Sequence, residues 1–300
     1  MSCFSPLDGW MSTERTPLGK RRVVFAIRES FHDLKVTVPC GQCIGCRLER
    51  ARQWALRCVH EAKLWKENSF VTLTYRDLPA GGSLLPRDFV LFMKRLRKSR
   101  EPTRLRFLQA GEYGELGRPH HHALLFNCGF PDRKVVAASG SGEPIFRSAE
   151  LEELWPHGFS SIGTVTEESA AYVARYTVAK IREVDRAVRK EASGNRRYDE
   201  KGRRLPYITM SRRPGIGALW LDKFYSDVYP RDVMISPKGV KGRPPRFYDD
   251  RMREKDPALF ARLKRKRVDS VNAEEQRTGR LIARQENVSR RVQDFLKRGL

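Results

Sequence analysis

The run from Arg104 to Phe126 constrains the fold more than any other part of the chain. Arg104 to Glu112 and Pro119 to Phe126 are both strand-like, and Tyr113-Gly114-Glu115-Leu116-Gly117 between them is a turn by its glycines. Strands joined this closely pair antiparallel. Phe70-Val71-Thr72-Leu73-Thr74-Tyr75 alternates and is β-rich, which adds a strand, and Ser160 to Val165 adds a short one. Helical spacing runs through Leu48, Ala51, Ala55, Cys58, Val59, Ala62 and Trp65, and again through Phe89, Phe92, Met93 and Leu96. A third helix is predicted from Ala170 to Lys180, with Thr166 as its cap and Glu167 and Glu168 in its first turn. The expected fold class is α+β: a mainly antiparallel central sheet with helices packed on one face.

Around that core the composition changes. Residues 1–64 form a Cys-rich N-terminal region and helix, 65–190 the core, 191–250 a basic loop-rich extension, and 251–300 a basic tail that is helical or partly disordered. Residues 231–300 carry 20 Lys+Arg against 10 Asp+Glu, and their apolar stripe is thin, with helix expected from about 257 to 298. Residues 129–148, with Ser139-Gly140-Ser141-Gly142, read as a loop suited to an insertion.

Chemistry concentrates in the second strand of the hairpin. Half of the six histidines are His120, His121 and His122. Residues two apart on a strand share a face, so His120 and His122 stand side by side and His121 points away. Two imidazoles suit a divalent metal. The hairpin turn can bring Glu112 beside them, with Glu115 in the turn as a rival. Two imidazoles, a carboxylate and open positions suit Mn²⁺ or Mg²⁺. The plainer reading is a solvent-facing strand end with a surface carboxylate.

On the third helix Tyr172 and Tyr176 are four residues apart and share a face, which Lys180 continues. A phenol, ordinarily deprotonated only near pH ~10, becomes a nucleophile toward phosphorus when a cation stabilises the phenolate. Two half-buried tyrosines on an amphipathic helix are the plainer alternative.

Charge identifies the expected partner. The chain has 59 Lys+Arg against 36 Asp+Glu, a net charge of +23, and such an excess concentrates polyanions. Arg212 and Arg213, in the turn-rich Ser211-Arg212-Arg213-Pro214-Gly215-Ile216-Gly217, are candidate DNA-backbone contacts. Trp54, Trp65, Trp155 and Trp220 are candidate base-stacking residues, though burial is the ordinary fate of tryptophan. No stretch approaches a membrane span of ~18–20 apolar residues, and Met1 to Pro6 shows no secretory signal, so cytoplasmic residence with reduced cysteines is expected. Cys40, Cys43 and Cys46 form C-x₂-C-x₂-C. With Cys3 as a fourth ligand they suit structural Zn²⁺; an iron–sulfur cluster or unliganded thiols are the alternatives.

The ordered blocks Phe70–Tyr75, Arg118–Phe126 and Tyr172-x-x-x-Tyr176-x-x-x-Lys180 resemble the three motifs of the HUH rolling-circle replication initiators. The closest resemblance is to the initiators of gokushoviruses, single-stranded DNA phages of the microvirus group, whose blocks Cys40–Arg47 and Ser211–Gly217 also resemble. The similarity spans roughly residues 38 to 250. One departure is His121, which occupies the position of a bulky hydrophobic residue.

The resemblance implies a site-specific, metal-dependent single-strand nickase. His120 and His122 would bind the metal with Glu112, one of Tyr172 and Tyr176 would nick, the other would serve the joining transfer, and Lys180 would support the site. A 5′-phosphotyrosine and a 3′-OH primer would result. The implied partners are single-stranded and origin DNA and the host polymerase and helicase, in the cytoplasm of a bacterial host. A relaxase or transposase using the same site, a nuclease that uses water, and a non-catalytic zinc-stabilised DNA-binding protein are the competing readings.

Overall fold

A computed structural model describes residues 3–17, 19, 21–114, 116–140, 142–174, 198–237 and 239–298. The chain forms two compact units, Met1–Glu49 with Arg267–Leu300, and Arg50–Lys266.

In the first unit, strands β1 (Leu7–Arg15), β2 (Arg21–Val24) and β3 (Ser30–Val38) make an antiparallel sheet of order β2-β1-β3. Little apolar surface is buried there. Helix α1 (Ile44–Ala62) begins directly after the Cys40–Cys43 turn.

The second unit is built on a seven-stranded sheet in which every pairing is antiparallel. Its strands and their intervening helices are β4 (Asn68–Tyr75), α2 (Pro86–Ser99), β5 (Arg106–Tyr113), β6 (Pro119–Phe126), β7 (Lys134–Ala138), β8 (Pro144–Arg147), α3 (Ala149–Leu154), β9 (Gly158–Gly163), the described part of α4 at 167–174, and β10 (Tyr207–Met210). The spatial order β10-β5-β6-β4-β9-β8-β7 places the histidine strand β6 between β5 and β4.

The expected α+β class and antiparallel sheet are present, but helices lie on both faces rather than one. On one face Phe89, Phe92, Met93 and Leu96 of α2 and Leu151 of α3 pack against Val71, Leu73, Ala123 and Leu125. On the other, Ala55, Cys58 and Val59 of α1 and Ala170 and Val173 of α4 cover Leu108, Leu124 and Phe126. The cause is the unbroken apolar run Ala123-Leu124-Leu125-Phe126, which presents apolar side chains to both faces and requires cover on each.

Two further segments differ from expectation. The loop at 129–148 contains the hairpin β7–β8, an exposed edge that joins the sheet where Phe146 pairs with Ile162. The basic extension contributes β10, which pairs with β5 from Tyr207–Gly111 to Met210–Leu108. Beyond it α5 (Ala218–Lys223), α6 (Tyr225–Val228), the short pair β11 (Met234–Ile235) and β12 (Lys241–Gly242), α7 (Arg246–Lys255) and α8 (Pro257–Asp269) follow. Leu221, Val228, Tyr248, Met252 and Leu263 from these helices enclose Leu56 in a satellite core. The continuous helix expected from about 257 to 298 is broken between α8 and α9 (Thr278–Arg298), where the Asn272 side chain accepts hydrogen bonds from the N–H groups of Glu274 and Glu275.

Candidate active site

Sheet register assembles the site. Directly opposed residues on antiparallel strands share a face. Glu112 of β5 opposes His120 of β6, His120 opposes Thr74 of β4, and Thr74 opposes Phe159 of β9. One row further in, Ala110, His122, Thr72 and Ser161 form the next line. Glu112, His120 and His122 therefore lie on one face of two adjoining strands. His121 projects through the opposite face.

The threonines set the orientation of both rings. Thr74 Oγ1 is 3.0 Å from His120 Nδ1, and Thr72 Oγ1 is 3.0 Å from His122 Nδ1. With each Nδ1 engaged, each Nε2 is the nitrogen left for other chemistry. His122 Nε2 lies 3.2 Å from Glu112 Oε1, while Glu112 Oε2 is buried and makes no hydrogen bond. A Cβ built on Gly114 would fall 2.6 Å from His120 Nε2, so only glycine leaves that nitrogen clear. A buried carboxylate oxygen with no donor, beside imidazoles held by their other nitrogens, is a donor set that fits a hard or borderline divalent cation. The set is open: the ring centroids of His120 and His122 are 6.2 Å apart.

Helix α4 carries Tyr172 to this face. Thr166 and Ser169 cap it reciprocally: Thr166 Oγ1 accepts from Ser169 N–H and Ser169 Oγ accepts from Thr166 N–H. Ala170 and Val173 then pack onto the sheet. The half-buried ring of Tyr172 meets His122 edge-on, with centroids 5.4 Å apart and planes at 83°, and lies 6.3 Å from Phe70. Tyr176, Lys180 and Glu115 lie outside the described residues.

His121 belongs to a buried polar chain. Tyr75 Oη donates to Asp88 Oδ2 at 2.8 Å, so His121 Nε2, 3.1 Å away, supplies the proton of the Tyr75–His121 bond. Gln109 Nε2 donates to His121 Nδ1 at 3.2 Å, and Thr209 Oγ1 donates to Gln109 Oε1 at 2.7 Å. The chain crosses β10, β5, β6 and β4 to α2. Burial, reinforced by the neighbouring histidines 122, 120 and 157, brings His121 down to about 3, so its ring is neutral. This chain locks the strand that presents His120 and His122.

Arg212 and Arg213 are exposed but stand at the other end of the strand pair. Arg104 donates to Arg213 O, Arg106 donates to Pro214 O, and Glu61, buried and ion-paired with Arg106 at 2.5 Å, accepts from Gly217 N–H at 2.7 Å. Arg106 lies six residues along β5 from Glu112, roughly 20 Å at ~3.4 Å per residue. The structure does not bring these arginines to the histidine pair. Among the candidate stacking tryptophans, Trp155 is fully buried and Trp220 stacks on His60 at 3.6 Å.

Several site residues escape a reading of the sequence. Thr72 and Thr74 share the two-residue spacing of His120 and His122, and that match is the signal available; only register shows that they face. Phe159, 57% exposed on the row of Glu112, His120 and Thr74, has the Arg76 guanidinium 5.7 Å from its ring centroid. Arg118 donates to the carbonyls of Tyr75 and Arg76, and Arg76 N–H donates to His157 O, so the backbone beneath this guanidinium is fixed.

In the first unit, Cys3, Cys40, Cys43 and Cys46 converge. Their sulfurs all lie within 4.8 Å of one another, a grouping able to hold a structural metal. Among the described residues the His120–His122–Glu112 set is wider than this. No helix of the described chain is long and apolar enough to cross a membrane.

Comparison with known proteins follows the same boundaries. A family model for replication-associated proteins of the ORF2 type matches residues 68–181, the stretch from β4 into α4. Replication-associated protein VP4 of Bdellovibrio phage phiMH2K is 37% identical over 228 residues, 73% of this chain and 68% of that protein. Replication-associated protein ORF2 of Spiroplasma virus 4 is 34% identical over 230 residues, 72% of this chain and 68% of that one. Replication-associated protein ORF4 of Chlamydia phage 1 is 30% identical over 164 residues, 51% of this chain and 41% of its own length. No solved structure matches.

Proposed function

Because the chain belongs to the family of phage replication-associated proteins, a family of rolling-circle initiators, we propose that it starts replication by nicking one strand of origin DNA with a tyrosine. The observation that carries this reading is the Tyr172 ring 5.4 Å from that of His122, on the sheet face that also holds His120 and Glu112.

The chain's own groups have defined tasks. Tyr172 Oη, or Tyr176 on the same helix face, attacks the scissile phosphorus. A tyrosine O–P bond forms and the bond to the 3′ oxygen breaks. The proton lost by the phenol is balanced by the one the leaving oxygen takes up as a 3′-OH, and the strand stays attached as a 5′-phosphotyrosine. The ester retains the bond energy, so a later 3′-OH reverses the chemistry and closes a circle. His120, His122 and Glu112 would hold Mg²⁺ or Mn²⁺, which supplies charge neutralisation at the phosphate. Lys180 supports the phenolate. Phe159, backed by Arg76, offers a stacking surface for a base beside the cut, and Arg212 and Arg213 hold backbone farther along. The 3′-OH primes a host polymerase, with host helicase opening the duplex, in the bacterial cytoplasm.

The test is direct. Full-length protein, labelled single-stranded origin DNA and Mn²⁺ are combined, and a denaturation-resistant adduct is sought and mapped by mass spectrometry. Adduct on Tyr172 or Tyr176, lost in the double substitution to Phe, is expected. Cleavage without adduct assigns the site to a nuclease that uses water and overturns the reading.

A further inference from the structure

We propose that Cys3, Cys40, Cys43 and Cys46 form a tetrahedral zinc site that holds the first unit together. Geometry is the first argument. All six cysteines are free thiols. Cys3 Sγ is 3.6 Å from Cys40 Sγ and 3.9 Å from Cys43 Sγ. A disulfide requires ~2.05 Å. Four sulfurs at ~2.3 Å around one Zn²⁺ stand ~3.8 Å apart, the separation seen here. Cys3 reaches the cluster from 37 residues before Cys40, a convergence that local C-x₂-C-x₂-C spacing alone does not produce.

The second argument is the shell around the sulfurs. Backbone N–H groups of Gln42 and Cys43 point at Cys40 Sγ, both at 3.3 Å. That of Phe4 points at Cys43 Sγ at 3.3 Å, and that of Cys40 at Cys3 Sγ at 3.2 Å. Donors aimed at sulfur stabilise thiolates and orient them, as an outer shell does for a metal ligand set. Four thiolates select a softer ion than the imidazole–carboxylate set of the sheet, so the two sites sort zinc from magnesium or manganese by donor chemistry.

The third argument is need. Among the described residues of Met1–Glu49 and Arg267–Leu300, the buried apolar side chains are Cys3, Phe4 and Leu281. A unit with so little core requires a staple, and metal binding then contributes directly to folding. The cluster joins the residue before β1 to the turn after β3 and the first turn of α1, closing the three-stranded sheet at one end.

The experiment uses the full chain, reconstituted with Zn²⁺ and passed over chelating resin. One zinc per chain by elemental mass spectrometry is expected, with an X-ray absorption fine structure of four sulfurs at about 2.3 Å. Cys3→Ser and Cys43→Ser reduce retained zinc at least tenfold, while Cys58→Ser and Cys128→Ser retain it. Stripping the metal from the unsubstituted chain speeds amide exchange in Leu7–Val38 and leaves Asn68–Phe126 protected. Zinc below a tenth of an equivalent, a shell containing nitrogen or oxygen, or bound iron and sulfide overturns the proposal. The absorption measurement needs no variant, so a substitution that fails to fold does not decide the outcome.

Discussion

The ring of Tyr172 stands edge-on to that of His122, its centroid 5.4 Å away. A helix and a strand separated by 50 residues thus present a phenol and an imidazole to one space. Neither position is adjustable alone. Val173 and Ala170 fix the helix on the sheet, and the His121 chain fixes the strand beneath it.

The threonines of β4 hold the metal-binding orientation. Thr72→Val and Thr74→Val keep volume and remove the hydroxyls that meet Nδ1 of His122 and His120. Each substitution lowers Mn²⁺ affinity about 10–100-fold, measured by titration calorimetry on the full chain, with adduct formation at subsaturating Mn²⁺ falling in step. Unchanged affinity removes the threonines from the site.

Phe159 acts through a base. Phe159→Ala weakens single-stranded origin DNA by about 1–3 kcal/mol, the usual worth of one stacked base, read by fluorescence anisotropy. An abasic nucleotide at the stacked position produces the same loss in the unsubstituted chain and no further loss in Phe159→Ala. Additive losses mean that Phe159 does not touch that base.

The buried Glu61–Arg106 pair carries the Arg212–Arg213 loop. Glu61→Ala leaves Arg106 as an uncompensated buried charge and frees Gly217 N–H, so urea denaturation shows a loss of about 3–5 kcal/mol. Amide exchange in 211–217 accelerates. A variant as stable as the parent shows that the pair is not what anchors the loop.

His60 gives the stability a pH dependence. Burial, with a smaller contribution from Lys63, brings its imidazole down to about 3, against ~6.5 in an unfolded chain. Below the unfolded value the unfolded state binds a proton that the folded state refuses, so the stabilisation is complete above pH ~6.5 and is lost as pH falls toward about 3. The contribution of this group declines by about 2 kcal/mol between pH ~7.5 and pH ~5. Urea midpoints of the parent and His60→Gln at the two pH values isolate it: the parent loses more stability than the variant on acidification, and equal losses overturn the assignment.

Much of this was legible before any coordinates. The paired strands around Gly114 and Gly117, the shared face of His120 and His122, and the amphipathic spacing of Phe89, Phe92, Met93 and Leu96 all follow from local periodicity. What local pattern does not carry is pairing. The approach of Thr74 to His120 and of Cys3 to Cys40 depends on which strand lies beside which. The second helical layer was signalled by Ala123-Leu124-Leu125-Phe126, whose lack of alternation marks a strand buried on both sides. The β7–β8 hairpin was hidden because its strands are exposed, so no buried stripe announces them, and β10 because its four residues sit amid basic turns.

The cover laid by α1 and α4 over Leu108, Leu124 and Phe126 has a consequence for what can reach the chemistry. It roofs the histidine face along most of its length and stops short of the row from Glu112 to Phe159, leaving a porch at the sheet's rim. A double helix is too broad and stiff to settle under such an eave. A lone, pliable strand can slip in edgewise, so the architecture itself rejects paired DNA at the threshold.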